Sequence, residues 1–218
     1  MNWRVIPPNV VSLLNVFFGF FSILSSIQGH YDIAAIYILA ALFFDGFDGR
    51  IARKLGSVST FGAELDSLSD LTSFGVAPGV LLYMKYFYVL PYGAYIAVLL
   101  PLAVAIGLAN FNIEFSGDYF EGLVRPVGGG LVAAIVLSGI HLPIYALIGT
   151  FIVIPLLMIA PIKYPSFKHI PTWQAYVLFF FFLSCVLLSF VNTYFILVPF
   201  VGYILGGPFL QRIMFEHK

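Results

Sequence analysis

Four aspartates stand within 26 positions of one another, in surroundings that are otherwise apolar. They form the pattern Asp45-x-x-Asp48-Gly49-x-x-Ala52-Arg53, then eight residues, then Gly62-x-x-x-Asp66-x-x-x-Asp70. Carboxylates in apolar helices are expensive to retain, so a cluster of four implies a compensating function. Hard divalent cations take oxygen ligands, and a metal site is the compensation that fits this chemistry. At about 3.6 residues per turn, positions 45, 48, 49 and 52 share one helix face, with Arg53 at its edge. Positions 62, 66 and 70 stack along one face of the following helix, joined by Ser69 and Ser73, while Glu64 points away. The connection from Lys54 to Phe61 is short, which predicts antiparallel neighbouring helices whose polar faces converge. Gly49, Ala52 and Gly62 lie about one turn from the acids. Small residues there either let helices pack closely or leave a slot for a substrate. Salt-bridged structural acids are disfavoured, because among Arg50, Arg53 and Lys54 only Arg53 reaches the right face.

The rest of the chain says what must hold these residues. The 218 residues are 61% hydrophobic and 9% charged, too apolar for a soluble domain. Hydrophobic stretches run at about 9–28, 32–54, 62–84, 91–112, 122–140, 143–161, 173–190 and 193–211, each near the length that crosses a bilayer. The expected fold is therefore all-α, one polytopic transmembrane bundle of eight helices occupying residues 1–218. The first stretch lacks a small-residue cleavage site and reads as a retained anchor. With eight spans both termini share a side, which also carries Arg4, Arg50, Arg53, Lys54, Arg125, Lys163, Lys168, Arg212 and Lys218. Only Lys85 falls opposite. That bias places both termini and the acid cluster at the cytoplasmic face. The formal net charge is zero, so no basic field points to nucleic acid. Cys185 is the single cysteine and cannot form an internal disulfide; it reads as a packed apolar residue. The four histidines sit at no ligand spacing and are assigned no metal.

The acid pattern resembles the signature of the CDP-alcohol phosphatidyltransferase family at every specified position, including the eight-residue gap. That resemblance implies an integral membrane enzyme that transfers a phosphatidyl group from a CDP-linked lipid to an alcohol and releases CMP. It implies two divalent ions, Mg2+ or Mn2+, held by Asp45, Asp48, Asp66 and Asp70, with Asp70 also the general base. It further implies CDP-lipid contacts at Gly49, Ala52, Arg53, Gly62 and Ser69, and a homodimer. Within the family, Asp66-Ser67-Leu68-Ser69-Asp70-Leu71-Thr72-Ser73-Phe74-Gly75-Val76-Ala77-Pro78 looks like the phosphatidylserine synthase branch, which makes L-serine the expected acceptor. Phe111-Asn112, Phe120-Glu121-Gly122-Leu123 and Tyr164-Pro165-Ser166-Phe167-Lys168 agree with it. Two places depart: Asn110 stands where that branch usually has arginine, and Val124-Arg125-Pro126 where it usually has Pro-x-Pro.

Serine would bring a carboxylate that needs a cation. Arg125, Lys163 and Lys168 are the candidates, each with a competing reading as an interfacial residue. Asn9, Ser12, Asn15 and Gly19 form a stripe on the first span that either faces the nucleotide or bonds to neighbouring helices. Glycerol phosphate or an inositol phosphate as acceptor would call for a basic cluster and lacks the Asp-Ser-x-x-Asp run. A cation transporter would carry its acids near the midplane and show internal repeats, and neither is seen here.

Overall fold

The computed structural model describes residues 3–114, 119–165, 182, 184–189 and 191–215. Helix α1 spans Ile6–Ile27 and opens with Pro7 and Pro8, whose fixed φ suits a helix start. Helix α2, Tyr31–Leu55, ends on Gly56 in the left-handed conformation at φ 59°. Ser59 then caps α3, Thr60–Asp70, by accepting the Gly62 backbone N–H at 3.1 Å. The same rod continues through a π-helical turn at Leu71–Val76, α4 at Ala77–Leu82 and a second π turn at Tyr83–Phe87. Then come α5 (Gly93–Ala97), α6 (Leu99–Glu114), α7 (Arg125–Ser138) and α8 (Ile144–Ile159). A 3-10 turn at Thr193–Leu197 leads into α9, Val198–Phe215. Helices thus occupy the expected first six stretches and the eighth; most of 173–190 lies outside the described residues.

One element departs from the all-α expectation. Tyr119–Glu121 (β1) pairs antiparallel with Lys163–Pro165 (β2), with Glu121 opposite Lys163. Residues 163–165 fall between the sixth and seventh hydrophobic stretches. Three-residue strands are too short to leave an alternating pattern in the sequence. The ribbon is anchored: Tyr164 is fully buried against Gly207 and stacks on Tyr203 at 5.6 Å, and Tyr203 donates to the Pro165 carbonyl.

Helix α7 lies at the centre, with every residue from Gly128 to Val136 buried. Its glycines admit three neighbours. A Cβ on Gly129 would meet Phe74 Cα at 2.8 Å, one on Gly128 would strike Met158, and one on Gly130 would strike Phe200. The start of α7 is stitched to the end of α8: Gly122 N–H donates to Ile162 and Leu123 N–H to Leu157, each at 2.9 Å. Gly122 has φ +83°, and its position leaves no room for a Cβ beside the Met158 carbonyl. That stitching fixes where Arg125, the first residue of α7, emerges.

Helix α1 is inverted relative to a helix of a soluble protein. Ser12, Asn15, Gly19, Ser22 and Ser26 face inward, while Leu13, Phe17, Phe20 and Ile27 face outward, each more than half exposed. Ile6–Ile27 and Gly93–Phe111 are long and apolar enough to cross a membrane.

Candidate active site

The two acid-bearing helices converge as expected, but through an intermediary. Both α2 and α3 pack chiefly on α1 rather than on each other. Gly19 sets the approach, since a Cβ there would lie 3.0 Å from Ser73 Cα and collide with its hydroxyl. Ser69 and Ser73 donate to the carbonyls of Ser12 and Asn15, at 3.0 and 2.8 Å, and so fasten the Asp70 end of α3 to α1. Ser12 donates to Asp48 Oδ2 at 2.9 Å. The stripe on α1 therefore serves helix joining and touches the acids directly.

Asp45, Asp48 and Asp66 bring one carboxylate oxygen each within 4.8 Å of one another. Two oxygens bound to a single hard cation at about 2.1–2.5 Å are at most about 4–5 Å apart, so this triad fits a divalent ion. Asp66 Oδ1 and Asp70 Oδ1 are buried without a hydrogen-bond partner, which buried carboxylate oxygens seldom are unless a cation takes them. Asp70 is not part of the close triad. It lies beside Asp45, and its Oδ2 is 3.5 Å from Arg125 Nε.

Arg125 is the expected acceptor-side residue that the structure brings to the acids. Its guanidinium stacks over Phe111 at 5.0 Å and Nη1 donates to the Gly107 carbonyl at 3.4 Å, so α6 supports it from behind. Lys163 instead stands on the ribbon, exposed and in register with Glu121. Lys168 lies outside the described residues.

Gly49 and Gly62 each face polar side chains. A Cβ on Gly49 would come 3.3 Å from Arg53 Nη1, and one on Gly62 would come 3.2 Å from Ser59 Oγ and 3.3 Å from Asn9 Oδ1. Ala52 is half-buried and Arg53 is exposed. Ser69 is fully buried with its hydroxyl directed at the carbonyls of Leu65 and Ser12. Sequence reasoning gave Ser12 no specific partner and did not find Gly107 and Phe111 behind Arg125. The helical stripe on α1 was the signal for the first, and the Phe111-Asn112 match marked a position without showing what it touches.

Residues 5–197 match the CDP-alcohol phosphatidyltransferase family. The chain is 37% identical over 166 residues to the archaetidylserine synthase of Methanothermobacter thermautotrophicus, covering 72% of this chain and 69% of that one. It is 37% identical over 163 residues to the CDP-diacylglycerol–serine O-phosphatidyltransferase of Bacillus subtilis, covering 74% and 90%. A Helicobacter pylori protein of that same description is 34% identical over 197 residues, covering 82% and 80%.

Proposed function

The chain belongs to the CDP-alcohol phosphatidyltransferase family, and on that premise we propose that it transfers the phosphatidyl group of a CDP-lipid to the hydroxyl of L-serine, releasing CMP. The observation that carries the reading is the convergence of Asp45, Asp48 and Asp66 within 4.8 Å, with Arg125 held against Asp70 beside them. A diphosphate and an amino acid carboxylate are both anions, and this is where a cation cage and a fixed guanidinium stand together.

Asp45, Asp48, Asp66 and Asp70 would hold the divalent metal, read as two ions of Mg2+ or Mn2+. Bound there, it would supply neutralisation of the diphosphate and of charge on the attacking and leaving oxygens. Gly49, Ala52 and Gly62 leave the slot that the CDP headgroup enters, and Arg53 reaches over Gly49 toward its phosphates. Ser69 braces this slot through its bond to α1. Arg125 binds the serine carboxylate, with Lys163 and Lys168 as the alternative cations. Asp70 accepts the hydroxyl proton as the serine oxygen attacks the lipid-bearing phosphorus in line, and the bond from that phosphorus to the bridging oxygen breaks toward CMP. A carboxylate is a weak base for an alcohol, so proton transfer is concerted with attack and depends on placement.

The family is membrane-associated, and eight spans with both termini and the site at the cytoplasmic face suit the inverted α1 and the distribution of basic residues. The CDP-lipid then arrives laterally, tails in the bilayer, while serine and CMP exchange with the cytoplasm. Both ester-linked and ether-linked tails are compatible, and the outward apolar faces provide surface for a homodimer. The test is direct. Purified protein, CDP-lipid, radiolabelled L-serine and Mg2+ should yield labelled organic-soluble lipid and CMP in equal amounts. CMP without labelled lipid would overturn the reading.

A further inference from the structure

An arginine offers two edges to a planar anion, one made by Nε and Nη2 and the other by Nη1 and Nη2. In Arg125 the Nη1 end is tied to α6, because Nη1 donates to the Gly107 carbonyl at 3.4 Å. The Phe111 ring at 5.0 Å covers one face of the same guanidinium. Both restraints come from α6, so the group is clamped with its Nε side turned to the acids. Asp70 already faces that edge, with Oδ2 3.5 Å from Nε. The separation is that of an ion pair, and Nε has no hydrogen-bond partner. Both side chains are largely shielded, at 15% and 7% exposure.

We propose that Asp70 and the carboxylate of the acceptor compete for this one edge of Arg125, so that binding of the acceptor releases Asp70 for the reaction. The proposal rests on serine being the acceptor. Before serine arrives, Arg125 keeps Asp70 engaged. The serine carboxylate is planar and matches the fork, so it takes the edge and Asp70 turns to the hydroxyl. Arg125 is thus a positioning residue for Asp70 as well as a ligand of the acceptor. Selection then acts on turnover as well as on binding. Ethanolamine carries the same hydroxyl and ammonium without the carboxylate, and leaves Asp70 paired. Linkage makes the effect reciprocal: whatever frees Asp70 strengthens cation binding at the acids, and a cation bound there strengthens serine binding.

The experiment measures Mn2+ affinity of the full chain in detergent by electron paramagnetic resonance, with and without L-serine or ethanolamine. In the wild type, serine should tighten Mn2+ binding by about threefold or more, and ethanolamine should leave it unchanged. Arg125→Ala should bind Mn2+ more tightly than wild type at the outset and lose the serine response. Arg125→Lys keeps the charge without the fork and should also lose the response. Steady-state rates give a second readout: Arg125→Ala should raise serine KM about tenfold while ethanolamine turnover rises. A fall with both acceptors would mean a merely structural role and would overturn the proposal. So would a serine effect that persists in Arg125→Lys, which decides the matter even if the alanine variant fails to fold. If wild-type protein makes lipid from serine but serine leaves Mn2+ affinity unchanged, only the coupling fails. If it makes no lipid from serine, the acceptor reading fails and this proposal with it.

Discussion

Ser12 of α1 donates to Asp48 Oδ2 at 2.9 Å, while its own backbone carbonyl accepts from Ser69 on α3. One residue thus ties the first helix to both acid-bearing helices. The bond orients Asp48, whose other oxygen, Oδ1, accepts from the Gly49 backbone N–H. Groups that orient metal-binding carboxylates typically affect affinity about 10–100-fold.

Ser12→Ala should therefore weaken Mn2+ binding about tenfold or more, with the helical content unchanged by circular dichroism. Isothermal titration of wild type and variant would read this. Equal affinities would show that Asp48 is placed without Ser12.

Chelation should abolish CMP release, and Mg2+ or Mn2+ should restore it. Asp→Asn at position 45, 48 or 66 should lower turnover by about a hundredfold or more while the protein still elutes as a folded species. The three oxygens within 4.8 Å motivate this expectation. Full activity after extensive dialysis against EDTA would remove the metal from the reaction.

Gly49→Leu and Gly62→Leu should block CDP-lipid binding by filling space while Mn2+ binding largely survives. At these two positions even a Cβ would meet Arg53 or Ser59 and Asn9 at 3.2–3.3 Å. Equilibrium binding of a CDP-lipid to each variant checks it. Wild-type affinity in both would return the glycines to helix packing.

All four aspartates belong to α2 and α3 of one chain. Each protomer of a dimer should therefore hold a complete site. Mixing inactive Asp48→Asn and Asp66→Asn proteins should restore no CMP release, and strong complementation would show a site shared between chains.

The sequence made the acids legible because their spacing is set within two helices, where periodicity alone decides the face. The helices themselves were legible from long apolar runs. What joins them was not. Ser12 and Asp48 are 36 positions apart, and Arg125 reaches Asp70, Gly107 and Phe111 only once α6 and α7 have packed. The expectation that α2 and α3 are direct neighbours followed from a short loop, and it held only at the acids, because the small polar face of α1 draws both helices onto itself. The β1–β2 ribbon was missed because three residues carry no periodicity. Yet it fixes the start of α7 and hence Arg125.

The acceptor decides which lipid the protein makes. The most direct measurement is CMP release by purified protein with CDP-lipid and Mg2+ across a panel of L-serine, glycerol 3-phosphate and inositol phosphate. L-serine should support release at a rate at least about tenfold above either phosphorylated acceptor, because one clamped arginine matches a carboxylate fork. A clear preference for a phosphorylated acceptor would contradict it.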